Sequence, residues 1–272
     1  MNSQRSFYWA DYTSSELAHW AASGAIAVIP VAAIEQHGPH LPVSVDTRII
    51  DGVVLRISDQ LHGTTSAPPV LFLPTIQYGK SNEHAQFPGT ITLSAKTLIA
   101  VWTEVGECIA ASGFKKILFF NSHGGQAGIM DVVARDLRAQ LNVIAMHCNW
   151  YALGLPKGMY SDHEQRFGVH GGDVETSMMM ALDAGHVQHD KIANFKSSSE
   201  ALLDAGYTQL QVSPAAKIAW QTQDLNPAGA VGNASLATAL KGQATIDFVA
   251  DQFIGVLREI EQLPLTYHKT VD

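Results

Sequence analysis

Uniformly apolar runs alternate along the chain with segments in which apolar residues recur every three or four positions. The apolar runs, typical of strands buried on both faces, are residues 24–34, 70–76, 115–122 and 142–150. The segments with helical spacing are residues 46–63, 94–113, 127–141, 171–185 and 235–262. This alternation predicts an α/β fold with a mainly parallel sheet flanked by helices.

The ends of these segments carry the residues that usually start and stop helices. Ser94 is placed to cap the helix over 94–113, Gly113 follows its end, and Gly63 is a plausible end for the helix over 46–63. Residues 186–234 have a mixed pattern, and we expect them to run over the surface. No repeat or linker divides the chain, so we predict a single domain over residues 1–272.

Composition narrows the classes of protein that this chain can belong to. Of its 272 residues, 46% are hydrophobic and 15% are charged, which is ordinary for a globular enzyme. A net charge of −8 argues against nucleic-acid binding. No apolar run reaches the ~18 residues of a membrane span, and the first residues do not follow a signal-peptide pattern. Cys108 and Cys148 lie among apolar residues and are interpreted as buried, reduced thiols, so we expect a cytoplasmic protein.

Three segments with ligand-type residues follow the first three predicted strands. They are EQHGPHLPVSVD (35–46), YGKSNEHAQFPGT (78–90) and NSHGGQ (121–126). In an open parallel sheet, ligands bind beyond the carboxyl ends of the strands. The three segments are therefore expected to meet at one site.

The first segment contains three candidate metal ligands. Glu35 and His37 are two residues apart, so in extended backbone they point to the same side. An oxygen and an imidazole nitrogen suit zinc, manganese or iron(II) better than calcium. Each also has an ordinary explanation: Glu35 and His37 as solvated turn residues, and Asp46 as the N-cap of the helix that follows.

Two later segments supply further candidates. His123 is followed by Gly124 and Gly125, where backbone N–H groups can approach a ligand, although a plain strand-to-helix turn would have the same pattern. In HGGDVETSMMM, Glu175 lies at the edge of an apolar segment, where a cation is a reasonable partner for a carboxylate. The neighbouring methionines are interpreted as core, and Asp173 as a charge suited to a helix's first turn.

Together the candidates make two histidines and three carboxylates, enough for two divalent ions that share a bridging carboxylate. Such a pair can activate water and polarise a carbonyl at once. The chain contains no GxSxG elbow, GxxxxGK[ST] phosphate loop or GxGxxG dinucleotide fingerprint.

Five blocks resemble, in order, those of the creatininase (creatinine amidohydrolase) family: PVAAIEQHGPHLPVSVD, FPGT, NSHGGQ, HGGDVETSMM and GAVGNASLATALKG. They extend from about residue 25 to about residue 245 of the chain. The resemblance implies a layered α/β fold, a hexamer, and a dinuclear site that hydrolyses cyclic or formyl amides.

The resemblance also implies roles for individual residues. The metal ligands would be Glu35, His37, the bridging Asp46, His123 and Glu175. We expect two divalent ions per chain, zinc first, with manganese or iron as alternatives at one site. Where creatininase has a second-metal Glu two residues after the third-strand histidine, this chain has Gly125, so Glu175 would take that place. Creatininase also has an acid where this chain has Val169, which argues against creatinine as the substrate.

These ligands lead to a hypothesis of amide hydrolysis of a small molecule. His170 would move the proton to the leaving nitrogen, because an imidazole pKa lies near the working pH, and Glu175 would hold the second metal. The residues expected to bind substrate are Ser81, His84, Gly124, Gly125 and Trp150. A lactone or another sugar-derived carbonyl compound is the alternative substrate class. A metal-binding protein without activity is the third hypothesis. No role follows for His40.

Overall fold

The computed structural model describes residues 6–62, 64–212 and 216–267. Its central feature is a four-stranded parallel sheet with the strand order β2-β1-β3-β4. The strands are β1 (Ile26–Val31), β2 (Val70–Phe72), β3 (Lys116–Asn121) and β4 (Ile144–Asn149). The predicted α/β fold with a mainly parallel sheet is confirmed.

Helices flank the sheet, and each predicted helix is present; α4 has the predicted bounds, and the ends of the other four are shifted by up to four residues. The helices are α1 (Ser14–Ala22), α2 (Val45–His62), α3 (Ala95–Ala111), α4 (Ala127–Leu141), α5 (Asp162–Phe167), α6 (Asp173–Asp183), α7 (Ser199–Asp204), α8 (Thr222–Leu225) and α9 (Ala239–Gln262). Ser94 caps α3 as predicted, with its hydroxyl accepting from the Thr97 N–H. Gly63 lies outside the described residues.

The sheet separates two hydrophobic cores. Helices α2, α6 and α9 pack on one face, and α3 and α4 on the other. Strand β1 contributes to both cores, because alternate side chains point to opposite faces of a strand. Ile26 and Val28 belong to the first core, and Ala27, Ile29 and Val31 to the second.

The second strand is shorter than predicted for a definite reason. Pairing stops after Phe72 and resumes only as an isolated bridge between Val31 and Ile76. The intervening stretch contains Pro74, which lacks the N–H that a ladder requires. Similarly, α6 begins at Asp173 rather than residue 171, because Gly171 has φ +61°, a left-handed conformation that does not belong to a right-handed helix.

The prediction that residues 186–234 run over the surface is wrong in part. This segment forms α7, α8 and four two-residue strands, β5 (Asn194–Phe195), β6 (Leu210–Gln211), β7 (Ala216–Lys217) and β8 (Gly232–Asn233). Ala230 and Val231 are fully buried, and Val231 pairs with the backbone of His170.

Within the described residues, no helix combines the length and apolarity needed to span a bilayer. The prediction of two buried thiols fails for Cys108, which is exposed on α3, while Cys148 is half-buried.

Candidate metal centre

The loops that follow β1 and β3 meet at the carboxyl edge of the sheet and are held together there by amide side chains. Asn121, the last residue of β3, accepts from the His123 N–H at 3.0 Å and donates to the His123 carbonyl at 2.6 Å. Gln126 donates to Asn121 at 2.8 Å and to the Ala32 carbonyl at 3.2 Å, joining the two loops. His123 is therefore fixed in position relative to the first loop.

His37 points its Nε2 atom toward the centre of the site. Its Nδ1 lies 3.0 Å from the Glu35 carbonyl, which can only accept, so Nδ1 carries the proton. The Nε2 lone pair then faces Asp46 Oδ1 at 3.6 Å and Glu175 Oε2 at 3.9 Å. Three ligand-type atoms thus converge where no hydrogen bond joins them.

His123 is oriented in the same manner from the opposite side. Its Nε2 lies 2.9 Å from the Lys80 carbonyl and therefore carries the proton. Its Nδ1 faces Glu35 Oε2 at 3.1 Å and Asp46 Oδ2 at 3.5 Å. The two oxygens of Asp46 consequently face two different histidines.

The convergent atoms fit shared cations. Glu35 Oε2, His37 Nε2 and Asp46 Oδ2 are buried without a hydrogen-bond partner, an arrangement that is costly unless a positive charge lies between them. Ligand atoms at the usual ~2.0–2.2 Å from one zinc ion lie roughly 3.0–3.5 Å from each other. The distances from His123 Nδ1 to Glu35 Oε2 (3.1 Å) and to Asp46 Oδ2 (3.5 Å) fall in this range, and the 3.6 Å between His37 Nε2 and Asp46 Oδ1 lies just above it. His37 Nε2 and Glu175 Oε2 are 3.9 Å apart, so they would have to approach each other by a few tenths of an ångström to bind the same ion.

The crowded charges of the site shift the pKa values of His37, His123 and Asp46. Burial lowers the pKa of His37, but the adjacent Asp46 carboxylate, with the charges of Glu175 and Glu35, outweighs burial and raises that pKa to about 9. Burial opposes protonation of His123 too, yet the charge of Glu35 raises its pKa well above the usual range. Burial and the charge of Glu35 raise the pKa of Asp46 to about 7. A metal that binds here must displace protons.

Helix α6 brings Glu175 and the residues before it to the site. Glu175, in the first turn, accepts from the Gly171 N–H at 2.6 Å, and its side chain is 18% exposed. His170 donates from Nε2 to the Gln36 carbonyl at 2.6 Å, so its unprotonated Nδ1 faces Glu35 Oε1 at 3.8 Å. Burial, with the charges of His37 and His84, holds the pKa of His170 well below its usual range. The expected role of His170 in proton transfer stays a prediction.

His84, predicted to bind substrate, is buried and faces Glu35. The Gln36 amide is oriented by the backbone, since it donates to the Gly229 carbonyl at 2.8 Å and accepts from the Gly38 N–H at 2.9 Å. Its NH₂ also lies 2.7 Å from His84 Nδ1, which must accept. His84 Nε2 then carries the proton and faces Glu35 Oε1 at 3.4 Å.

The other four residues expected to bind substrate lie in different environments, some exposed and some buried. Gly124 and Gly125 are exposed at the start of a short 3₁₀ turn, where the first N–H groups of a helical turn have no internal partner. Ser81 is fully buried, 3.3 Å from His123 Nε2. Trp150 lies in the core beside α9, with its ring 3% exposed, and not among the ligand atoms.

Three residues near the site were not singled out from the sequence. Glu83 lies 3.3 Å from His123, in the same loop as His84. Tyr151 follows β4 and the candidate Trp150; burial first, and then the charge of Asp46, raise the pKa of its hydroxyl to about 12. His40, first given no role, is fully buried and its Nε2 lies 2.9 Å from the Thr176 hydroxyl on α6. Position beside known candidates was the only signal for these residues.

Several known proteins are similar to this chain in sequence. The family model described as creatinine amidohydrolase matches residues 10–257. A mycofactocin precursor peptide peptidase of Mycobacterium ulcerans is 30% identical, over 84% of this chain and 82% of that protein. A creatinine amidohydrolase of Pseudomonas putida is 25% identical, over 92% and 94%. A 3-dehydro-scyllo-inosose hydrolase of Thermotoga maritima is 25% identical, over 88% and 79%.

Solved creatininase structures have the same fold. A manganese form of creatininase superposes with a TM-score of 0.75 at 21% identity, covering 95% of this chain and 100% of that one. A zinc–zinc form of a creatininase variant superposes with a TM-score of 0.74 at 21% identity and the same coverage. The family model spans most of the chain, and groups of residues suited to metal binding lie at the carboxyl edge of its sheet. The chain belongs to the creatininase family of amidohydrolases.

Proposed function

We propose that this creatininase-family hydrolase uses two divalent metal ions to hydrolyse a C–N bond in a small cyclic amide or formamide. The observation that carries the proposal is the position of Asp46, whose two oxygens face His37 Nε2 at 3.6 Å and His123 Nδ1 at 3.5 Å. A carboxylate whose two oxygens face two different imidazole nitrogens is suited to serving two cations.

The ligands divide into two sets. Glu35, Asp46 and His123 would hold one ion, and His37, Asp46 and Glu175 the other. When bound, the pair supplies a Lewis acid and a nucleophilic water at neutral pH. The mixed nitrogen and oxygen donors suit zinc, with manganese or iron as alternatives at one site.

The protein's own groups would handle the proton and the developing charge. His170 Nδ1 is unprotonated and 3.8 Å from Glu35 Oε1, so it can accept a proton from the attacking water and return it to the leaving nitrogen. The exposed N–H groups of Gly124 and Gly125 would donate to the carbonyl oxygen as it becomes negative. Glu175 would act as a ligand of the reactive pair.

Two other substrate classes come from the names of relatives. One relative is named as a hydrolase of an inosose, a carbocyclic sugar derivative, which favours the lactone or sugar-derived carbonyl alternative. Another is named as a peptide peptidase, which makes a peptide bond a further candidate. A hydrolytic site of this type serves all three classes, so the leaving group separates them.

A substrate panel tests the proposal. The protein is stripped of metal, reloaded with Zn²⁺, Mn²⁺ or Fe²⁺, and assayed with cyclic amides, N-formyl amines, lactones and short peptides. Metal-dependent turnover of a cyclic amide or formamide supports the proposal. Turnover confined to lactones selects the alternative, and turnover confined to peptides refutes the non-peptide assignment. Tight metal binding with no turnover in any class would indicate a metal-binding protein without this activity.

We also infer a single hydrolase domain over residues 1–272, a homohexamer and a cytoplasmic location, each suggested by the sequence and the family resemblance. Light scattering of the purified protein measures the assembly directly. A mass near six chains supports the hexamer, and a mass of one or two chains contradicts it.

A further inference from the structure

Glu83 lies beside the candidate metal centre without being one of its predicted ligands. It belongs to a short 3₁₀ turn over Asn82–His84, and its side chain is 13% exposed. Its Oε1 is 3.3 Å from His123 Nε2. This is the edge of the imidazole opposite Nδ1, the nitrogen that faces Glu35 and Asp46.

The outer edge of His123 is therefore surrounded by acceptors from one loop. The Lys80 carbonyl is 2.9 Å from Nε2, the Ser81 hydroxyl 3.3 Å and the Glu83 carboxylate 3.3 Å. Acceptors at this edge keep the proton on Nε2 and leave Nδ1 free to bind a cation. A negative acceptor also increases the electron density available at the opposite nitrogen, as in carboxylate–histidine–metal arrangements.

The backbone at Gly125 explains why this carboxylate can lie so close. A methyl group built on Gly125 would overlap Glu83 Oε1 and would lie 2.7 Å from His123 Nε2. The neighbouring Gly124 has no such constraint, because a methyl group there would meet only the Tyr151 hydroxyl at 4.0 Å. The space beside Gly125 is thus occupied by the Glu83 carboxylate.

We propose that Glu83 is a positioning residue for His123, and that Gly125 lacks a side chain in order to leave room for the Glu83 carboxylate. The inference rests on the proposed role of His123 as a metal ligand. It predicts that positions 83 and 125 act on metal binding through the same volume, although they lie on different loops.

Titration of the metal-free protein with Co²⁺, followed by visible absorption, tests this inference without an activity assay. Loss of an outer partner of a metal-bound histidine usually weakens metal affinity 10- to 100-fold. We expect that loss, with an altered Co²⁺ spectrum, in Glu83→Ala and in Gly125→Ala. Glu83→Gln, which keeps an acceptor oxygen without the charge, should lie between Glu83→Ala and the parent protein.

Two controls make the test specific. Gly124→Ala should bind Co²⁺ within about threefold of the parent, because open space surrounds that position. Mutations that act through one contact are not additive. The double variant Glu83→Ala/Gly125→Ala should therefore lose less affinity than the product of the two single fold-losses. Circular dichroism establishes that each variant is folded.

Several results would overturn the inference. Parent-like affinity and spectrum in Glu83→Ala would remove any role for this carboxylate, and equal losses in Gly124→Ala and Gly125→Ala would remove the role of the shared volume. Complete loss of one Co²⁺ ion in Glu83→Gln would make Glu83 a ligand rather than a positioning residue. Failure of the proposed function gives a different result, since His123→Ala would then retain both ions.

Discussion

Asp46→Asn is the substitution that most directly tests the two-metal arrangement. The carboxylate is 2% exposed, and its two oxygens face separate histidines at 3.6 and 3.5 Å. Asparagine keeps the shape but replaces one oxygen by an NH₂ group and removes the charge. Because Asp46 belongs to both ligand sets, we expect the variant to lose both ions together.

The size of the effect follows from linkage between binding and unfolding. A ligand at 100 times its Kd stabilises the folded state by about 2.7 kcal/mol. In a chain of this size, 1 kcal/mol moves Tm by roughly 2–4 °C, so each ion should raise Tm by roughly 5–11 °C. Without metal, the ionised Asp46 opposes folding above its unfolded pKa, since burial and Glu35 raise its folded pKa to about 7. The metal-free variant should therefore be at least as stable as the metal-free parent.

Thermal unfolding with and without Zn²⁺, combined with metal analysis, makes the measurement. Asp173→Asn is the matched control, because Asp173 is also a buried acid, and its carboxylate pairs with Lys241 and Ser177 instead of a candidate metal ligand. It should lose about 1–3 kcal/mol of stability, through the unpaired lysine, and keep the full metal-dependent rise in Tm. An Asp46→Asn protein that retains two ions and the parent rise would refute the bridging role.

Three further predictions concern the pH dependence of stability, the contribution of Tyr151 to activity and the packing of the hydrophobic core. Burial first, then the charge of His37, lowers the pKa of His40 to about 4, so its contribution to stability is present above pH ~6.5 and lost as pH falls toward 4. Urea unfolding at pH 7 and pH 4 should show a loss about 2 kcal/mol larger in the metal-free parent than in His40→Gln; equal losses would exclude this titration. Tyr151→Phe should reduce kcat/KM roughly tenfold with unchanged metal content, because it removes one hydroxyl beside Asn121 and Gly124; an unchanged kcat/KM would show that the hydroxyl does not contact substrate. Phe253→Ala should cost about 3–5 kcal/mol in denaturant unfolding, because the ring is fully buried with its centroid 3.9 Å from that of Phe120, and a cost below about 1 kcal/mol would contradict this. The exposed Leu240→Ala is its control, with a change within about 0.5 kcal/mol.

The sequence by itself determined the architecture of this protein. Continuous apolar runs and helical periodicity are local properties, and they predicted the four parallel strands and the principal helices. The predicted bounds were wrong where tertiary pairing decides the end of a strand or helix. Strand β2 stops before Pro74, and the buried stretch near Val231 belongs to a segment without any clear period.

The sequence also predicted that the candidate metal ligands lie close together, because the carboxyl ends of parallel strands meet at one edge. Only the tertiary structure decided the direction of each lone pair. The protons on His37 Nδ1 and His123 Nε2 follow from backbone carbonyls that lie beside them in the fold. Likewise, Glu83 approaches His123 through the space that a side chain at position 125 would fill, and this approach depends on how two loops pack. Residue types and their spacing identify the candidate ligands. The orientation of each ligand, and the neighbours that hold it in place, depend on contacts between segments far apart in the chain.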